Sequence, residues 1–143
     1  MAEGDAHVVN NFKEQLLLKT IDCNSDVFLM ALYSDAYAAG QIDGADPAYS
    51  TTNEIVASGY SAGGQSIGTP VVSQDDTNDW AKWDDDGTDV LWTSLATATI
   101  QRAILYDNTT ATKWHCIIWE IATNSNGGNY TLQFGANGML TLA

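Results

Sequence analysis

The densest group of chemically capable side chains is a run of aspartates in the middle of the chain. Seven aspartates fall between positions 75 and 89, and Lys82 is the one cation among them. Hard cations such as Ca²⁺ bind clustered carboxylate oxygens, and Asp84, Asp86 and Asp89 around Gly87 have part of that pattern. No glutamate closes such a loop, and strands rather than helices are predicted on both sides. The segment therefore favours a solvated acidic hairpin tip over a calcium site.

Soft metal ligands are scarce and badly spaced. The chain has two histidines and two cysteines, His7, His115, Cys23 and Cys116. A structural zinc site needs four such ligands at regular spacings, which these positions do not provide. His115 and Cys116 are adjacent in a predicted strand, so their side chains point to opposite faces. We predict no metal site and two buried free thiols, because a reducing cytoplasm disfavours a disulfide.

No residue pattern indicates covalent or acid–base catalysis. The chain has no Gly-x-Ser-x-Gly sequence, and Gly63 and Gly64 lack the lysine and spacing of a phosphate-binding loop. Two carboxylates for glycoside hydrolysis could meet from any of 18 acidic residues, so that signal is not specific. We assign no catalytic, cofactor-binding or metal-ligating residue and expect the protein not to be an enzyme.

The tryptophans allow two interpretations. Exposed, they would form a platform on which sugars stack; buried, they fill the core, since each aromatic ring buries a large area. We favour the core for most of them and expect Trp80 and Trp83, three apart in a strand, to face opposite sides. The five are Trp80, Trp83, Trp92, Trp114 and Trp119.

Length and charge limit the class of protein. At 143 residues, 45% of them apolar, the chain is predicted to be one domain spanning residues 1–143. A net charge of −13 argues against nucleic acid and against an anionic membrane surface as partners, because both need basic residues. We find no signal peptide and no apolar run near the roughly 20 residues of a membrane helix, and expect synthesis in a cytoplasm.

The first 20 residues have the periodicity of a helix. Val8, Val9, Phe12, Leu16 and Leu17 recur at spacings of three and four, which predicts an apolar stripe opposite polar residues that include Gln15. Asp5 is a candidate N-cap. This helix or arm, residues 1–20, either packs over one end of a sheet or docks on a neighbouring subunit.

The rest of the chain, residues 27–143, has the pattern of strands separated by turns. Residues 27–33 form a nearly continuous apolar run, typical of a strand buried on both faces. Residues 34–50 form a long loop, which is a candidate contact segment. Further strands are predicted at 54–57, 69–73, 80–83, 90–92, 98–106, 114–121, 130–134 and 139–142. We predict an all-β protein: a single β-sandwich or jelly-roll-like domain of about eight strands with a short N-terminal α-helix.

Several segments together resemble a family of small virion proteins of tailed bacteriophages. The resemblance covers nearly the whole chain, and it depends on the order and spacing of motifs that are not specific singly. Its strongest part is Thr-Asn-Glu-Ile at 52–55 followed by Ser-Gly-Tyr-Ser-Ala-Gly-Gly at 58–64. The other parts are 11–13 with 16–17, 21–22, 31–33, 74–79, 83, 84–92, 102–106 and 138–142. The loop 34–50 and the aspartates 84–86 depart from the family pattern.

The resemblance implies a structural role and transfers no catalytic residue. It implies a capsid decoration, or cement, protein that binds the major capsid protein on the outside of the virion and stabilises the shell. From symmetry we expect a homo-oligomer, most simply a trimer at a local threefold site, with the N-terminal helix and loop 34–50 as contact elements. The alternatives are a tail, neck or fibre-associated adhesion module that binds host glycan, and a small glycan hydrolase.

Overall fold

The chain folds into antiparallel sheets joined by short turns. The computed structural model describes residues 6–36 and 47–143. Within them every strand pairing is antiparallel, and the predicted all-β class with a short helix is confirmed, with ten strands instead of about eight. The elements are β1 (Ala6–Val8), α1 (Asn10–Leu17), β2 (Phe28–Tyr33), β3 (Gln65–Ser66), β4 (Val71–Asp75), β5 (Trp80–Asp84), β6 (Val90–Trp92), β7 (Thr99–Asp107), β8 (His115–Asn124), β9 (Tyr130–Leu132) and β10 (Leu140–Leu142).

The largest sheet carries most of the core. Its five strands lie in the order β1-β8-β7-β2-β3. Five of the six positions of β2 are buried, which confirms the predicted strand in the apolar run 27–33. The pairing of β7 with β8 shifts register between Ile100 and Arg102 and again between Leu105 and Tyr106. Such irregularities increase the local twist and let the sheet curve around its core.

Two smaller sheets complete the fold. One has three strands in the order β10-β5-β4, and the other pairs β6 with β9. Trp83 of β5 joins the three-stranded sheet to the rest, because its ring stacks on Phe12 of α1 at 5.5 Å and meets the edge of Phe28 of β2 at 4.9 Å. Trp92 of β6 is fully buried in the same core.

The predicted hairpin with the acidic tip, between strands 80–83 and 90–92, is wrong. β5 pairs with β4 and β10, whereas β6 pairs with β9. The shorter connection between β4 and β5 forms the hairpin, because Asp75 accepts hydrogen bonds from the backbone N–H groups of Thr77 and Asn78 at 3.0 and 3.1 Å. Asp85, Asp86 and their neighbours instead lead the chain from one sheet to the next. The last two strands, β9 and β10, likewise belong to different sheets.

The predicted N-terminal helix is too long. Val8 lies in β1, which pairs with β8, and the helix spans only Asn10–Leu17. β-branched residues such as Val8 fit a pleated sheet better than a helix, which explains the earlier strand. Within the helix Phe12 is buried as the predicted stripe requires, but Gln15 is buried and Leu17 is 85% exposed, the reverse of the prediction at these two positions. Asp5, the candidate N-cap, lies outside the described residues, and Val9 occupies the N-cap position.

The predicted strand at 54–57 is wrong as well. Glu54 makes a single bridge to Tyr33, and the chain then turns through residues with positive φ, among them Gly59, Gly63 and Gly64. Gly64 is required there, because a Cβ atom would lie 1.8 Å from the carbonyl oxygen of Met30. Of the predicted loop 34–50, residues 37–46 lie outside the described residues.

Candidate binding surface and polar clusters

The aspartates of segment 75–89 divide into separate turns. Asp75 holds the β4–β5 hairpin, since its carboxylate also accepts from Asn78 Nδ2 at 2.8 Å and from Trp80 Nε1 at 3.1 Å. The hydrogen bonds, that from the Asn78 side chain above all, lower the pKa of Asp75. The carboxylate therefore stabilises a turn as an acceptor.

The aspartates after β5 also accept hydrogen bonds from backbone N–H groups near them. Asp86 accepts from the N–H groups of Thr88 and Thr69 at 3.0 and 3.2 Å, and these two residues lower its pKa, the Thr88 side chain most. Asp85 accepts from the N–H group of Gly87 at 3.0 Å, and burial raises its pKa. Within residues 6–36 and 47–143 no three His, Cys, Asp or Glu side chains are placed to hold a metal ion.

Both cysteines are free thiols, as predicted. Cys116 of β8 is buried as predicted, whereas Cys23 is only half-buried. Burial, followed by the charge of Asp22, raises the pKa of Cys23 to about 12, and burial raises the pKa of Cys116 well above its ordinary value. Thiols in this state are poor nucleophiles and poor metal ligands, because the thiolate is the reactive form.

A buried carboxylate that we did not predict organises the glycine-rich turn. Glu54 accepts hydrogen bonds from the hydroxyl groups of Tyr49 and Tyr60 at 2.7 and 2.5 Å, and from the N–H group of Gly63 at 2.7 Å. Tyr106 stacks on Tyr49 at 4.5 Å and donates to the Gly63 carbonyl oxygen at 2.9 Å. The sequence does place an acidic residue just before a turn rich in glycine and tyrosine. It does not indicate which hydroxyl and N–H groups donate to that residue.

A buried cation ties the central strand β7 to the end of β2. Arg102 is only 3% exposed, and its Nε and Nη2 atoms both donate to the carboxylate of Asp35 at 3.1 Å. The guanidinium group also lies 4.7 Å from the centre of the Tyr33 ring. A polar cavity of about 300 Å³ beside it is lined in part by Ser50 and Thr52. Because Asp35 already neutralises Arg102, this cluster is suited to bracing the structure.

Most tryptophans belong to the core, as predicted. Trp83 and Trp92 are buried, and Trp114 and Trp119 pack against the core. Trp80 is the exception: it is half-buried outside this core and lines two shallow depressions that it shares with Gln74, Asp75 and Asp76. The arrangement confirms that Trp80 and Trp83 differ in exposure but offers no row of exposed tryptophan rings.

Several exposed apolar side chains lie at the end of α1 and on the three-stranded sheet. We name as the α1–β4 surface Leu17 and Leu18, at the end of α1, together with Val72 of β4 and Leu142 of β10. These are four of the eight large hydrophobic residues found exposed in the described part of the chain. Beside them an apolar groove of about 240 Å³ lies between the helix and the three-stranded sheet, with Leu16, Val72 and Leu142 on its walls. Exposed apolar side chains around an apolar groove favour the binding of another molecule there.

Comparison with known proteins assigns neither a family nor a function to the chain. No protein-family model matches the chain, and neither curated proteins nor solved structures give a match. In the described residues, no helix has the length and apolar character needed to cross a bilayer.

Proposed function

We propose that the protein is a non-enzymatic virion protein of a tailed bacteriophage that decorates the outer capsid surface and stabilises the shell. The α1–β4 surface carries this proposal, since it offers exposed apolar side chains beside an apolar groove on an otherwise strongly acidic molecule. The resemblance of segments 52–55 and 58–64 to small virion proteins supports the phage context. The major capsid protein is the proposed partner, and the proposed assembly is a homotrimer.

A decoration protein of this kind acts by adding contacts across the seams between capsid subunits. A specific interface buries about 1,200–2,000 Å² in total, and internal DNA pressure must break these contacts as well as those of the shell. A threefold arrangement would repeat one contact surface on equivalent neighbours. The net charge of −13 suits the capsid exterior, away from packaged DNA, and keeps the protein soluble at high copy number.

The helix contributes to the proposed contact through its C-terminal end. Leu17 is 85% exposed and Leu142 of β10 is 60% exposed, although both are apolar. A deletion of residues 1–20 is an unsuitable test, because it would also remove β1 and the buried ring of Phe12. Point substitutions of exposed residues on the α1–β4 surface can test the proposed contact without disturbing the fold.

The first experiment is the copy number of this chain relative to the major capsid subunit, measured by quantitative mass spectrometry of purified particles. A number of the same order as that of the capsid subunit is the expected result. A few copies per particle would contradict a shell-covering role and place the protein in the neck, tail or fibre. Absence from particles would overturn the virion role.

The second experiment adds purified variants to particles that lack the protein. Leu17→Asp and Leu142→Asp should each weaken particle binding at least about tenfold. Leu91→Asp is the matched control, because Leu91 is 42% exposed on β6, outside the α1–β4 surface. Equal binding by all three variants would contradict the proposed contact surface.

Trp80 favours one alternative, a tail- or fibre-associated module that binds host glycan. Its half-buried ring and the neighbouring Asp75 and Asp76 carboxylates combine a stacking face with hydrogen-bond acceptors, as ligand sites do. Glycan-array binding that is lost in Trp80→Ala and retained in Leu91→Asp would support this module. If the array shows no bound glycan and added sugars do not change the tryptophan fluorescence, the glycan-binding alternative is contradicted.

A further inference from the structure

β4 presents an open edge within the α1–β4 surface. Among the described residues it pairs only with β5, and it ends the three-stranded sheet. Residues 71–74 are exposed and uncharged. Native proteins usually protect such an edge with lysine, with proline or by shortening the strand. Pro70 precedes β4, but the strand itself has five residues without a positive charge, so it can accept another strand.

The groove beside this edge has room for a side chain of an added strand. Val72 is 46% exposed and forms one wall of the groove, whose other walls include Leu16 and Leu142. In strand addition, backbone hydrogen bonds supply affinity while alternate side chains enter pockets and supply specificity. An apolar side chain at alternate positions of the incoming strand matches this groove.

Carboxylates stand at both ends of the open edge. Asp75, Asp76 and Asp79 lie at the C-terminal end of β4 and in the turn that follows it. At the other end, Asp84 is opposite Val71 in the pairing, and the Asp86 carboxylate accepts from the N–H group just before β4. Among the described residues, Lys82 forms an ion pair with Asp84 alone, at 2.8 Å. Basic side chains on an incoming strand would meet these charges favourably.

The same charges disfavour a second copy of this chain as the occupant. If two β4 strands paired antiparallel, the Asp75 end of each would meet the Asp84 and Asp86 end of the other. Like charges placed opposite each other destabilise a strand pair. The net charge of −13 on each copy adds repulsion at longer range.

We propose that β4 binds an extended segment of a partner protein by strand addition, and that this segment alternates apolar with basic residues. The apolar side chains enter the groove at Val72, and the basic ones meet the aspartates at the ends of β4. This inference deepens the proposed function, on which it rests, by stating the chemistry of the segment that the partner contributes to the α1–β4 surface.

The test uses the purified full chain and synthetic peptides, so that its result does not depend on particle binding. The probes are peptides of about eight residues that alternate valine with lysine or valine with glutamate, and a backbone N-methylated form of the lysine peptide. Affinity is measured by titration, and amide hydrogen exchange locates the bound strand. We expect the lysine peptide to slow exchange in residues 71–75 and to bind at least about tenfold tighter than the glutamate peptide.

Variants distinguish strand addition from general attraction to an acidic protein. Val72→Lys should weaken binding of the lysine peptide at least about tenfold. Leu91→Lys, which adds the same charge on β6, should change it less than about twofold. Asp79→Asn removes one end charge and tolerates the left-handed backbone of this position, φ 56°, so it should weaken binding while leaving the fold intact. The N-methylated peptide keeps the side chains but should not bind.

Three outcomes would overturn the proposal. The first is no protection of residues 71–75 by the lysine peptide at concentrations up to about 1 mM. The second is equal affinity for the lysine and glutamate peptides, or for the N-methylated form. The third is a dimer of the chain, without peptide, that protects residues 71–75 and is lost in Val72→Lys, which would make a second copy the occupant. Loss of particle binding would leave all of these results unaffected.

Discussion

The hydroxyl group of Tyr60 donates a hydrogen bond of 2.5 Å to the carboxylate of Glu54. The two residues lie at the start and in the middle of the turn that carries the chain from the bridge with β2 to β3. Tyr60 also accepts from the N–H group of Leu32 at 3.0 Å. The pair therefore fastens the glycine-rich turn to the largest sheet, and its role is to hold the fold.

Removal of this carboxylate should cost much of the stability of the protein. Glu54→Ala leaves three donors without their charged acceptor, and a lost bond of this kind costs about 1–3 kcal/mol. We expect the free energy of unfolding, measured in urea, to fall by roughly 3 kcal/mol or more. Glu14→Ala, on the exposed side of α1, is the control and should change it by less than about 0.5 kcal/mol. Similar values for the two variants would contradict the role of Glu54.

Alanine substitution should destabilise the protein by different amounts at two glycines with similar backbone angles. Gly64 and Gly87 have φ values of 77° and 82°, but a Cβ on Gly64 would meet the Met30 carbonyl oxygen, whereas Gly87 has open space. Gly87→Ala should cost about 1–2 kcal/mol, the strain of the left-handed backbone alone. Gly64→Ala should cost at least twice as much, because the sheet must also move. Equal costs in thermal or urea unfolding would contradict the close approach to β2.

Stability should decline in alkaline solution. Burial raises the pKa of Tyr106 and of Tyr130 from 10.0 to about 12, so the folded protein retains protons that the unfolded chain releases. The stabilisation is complete below pH 10 and is lost as the pH rises towards 12. Urea unfolding at increasing pH should show this decline. Tyr130→Phe should make the decline shallower, and a flat profile would contradict the burial of these hydroxyl groups.

The two thiols should react only when the chain unfolds. A pKa of about 12 for Cys23, against an ordinary value of 9.0, lowers its thiolate fraction at pH 8 about a thousandfold. Cys116 is fully buried and should react more slowly still. Alkylation followed by mass spectrometry should label neither residue in the native protein and both in urea. Rapid labelling of the folded protein would show that the thiols are accessible.

The strongest sequence signals gave the correct strands. The apolar run 27–33 and the predicted strands 98–106 and 114–121 became β2, β7 and β8, with shifts of at most three residues at their ends. Burial on both faces requires apolar residues in unbroken series, and this requirement is visible in the local sequence. The free thiols and the core position of most tryptophans followed from composition for the same reason.

Sequence reasoning failed where the answer depended on distant contacts. Asp85 and Asp86 correctly indicated a change of chain direction, but they did not indicate which strands pair. β5 and β6, on either side of them, belong to different sheets. The helical stripe placed Leu17 inside and Gln15 outside, whereas the structure has the reverse. Periodicity defines an apolar face, but the elements that cover this face come from elsewhere in the chain.

The sequence by itself determined the all-β class, the acidic character and most of the core residues, because these depend on composition and local pattern. Only the tertiary structure decided that Glu54 accepts hydrogen bonds from three donors, that Arg102 donates to Asp35, and that β4 lies at the open edge of its sheet. Each of these is a pairing between segments separated along the chain. Such pairings are selected by the packing of the whole fold, and no local propensity encodes them.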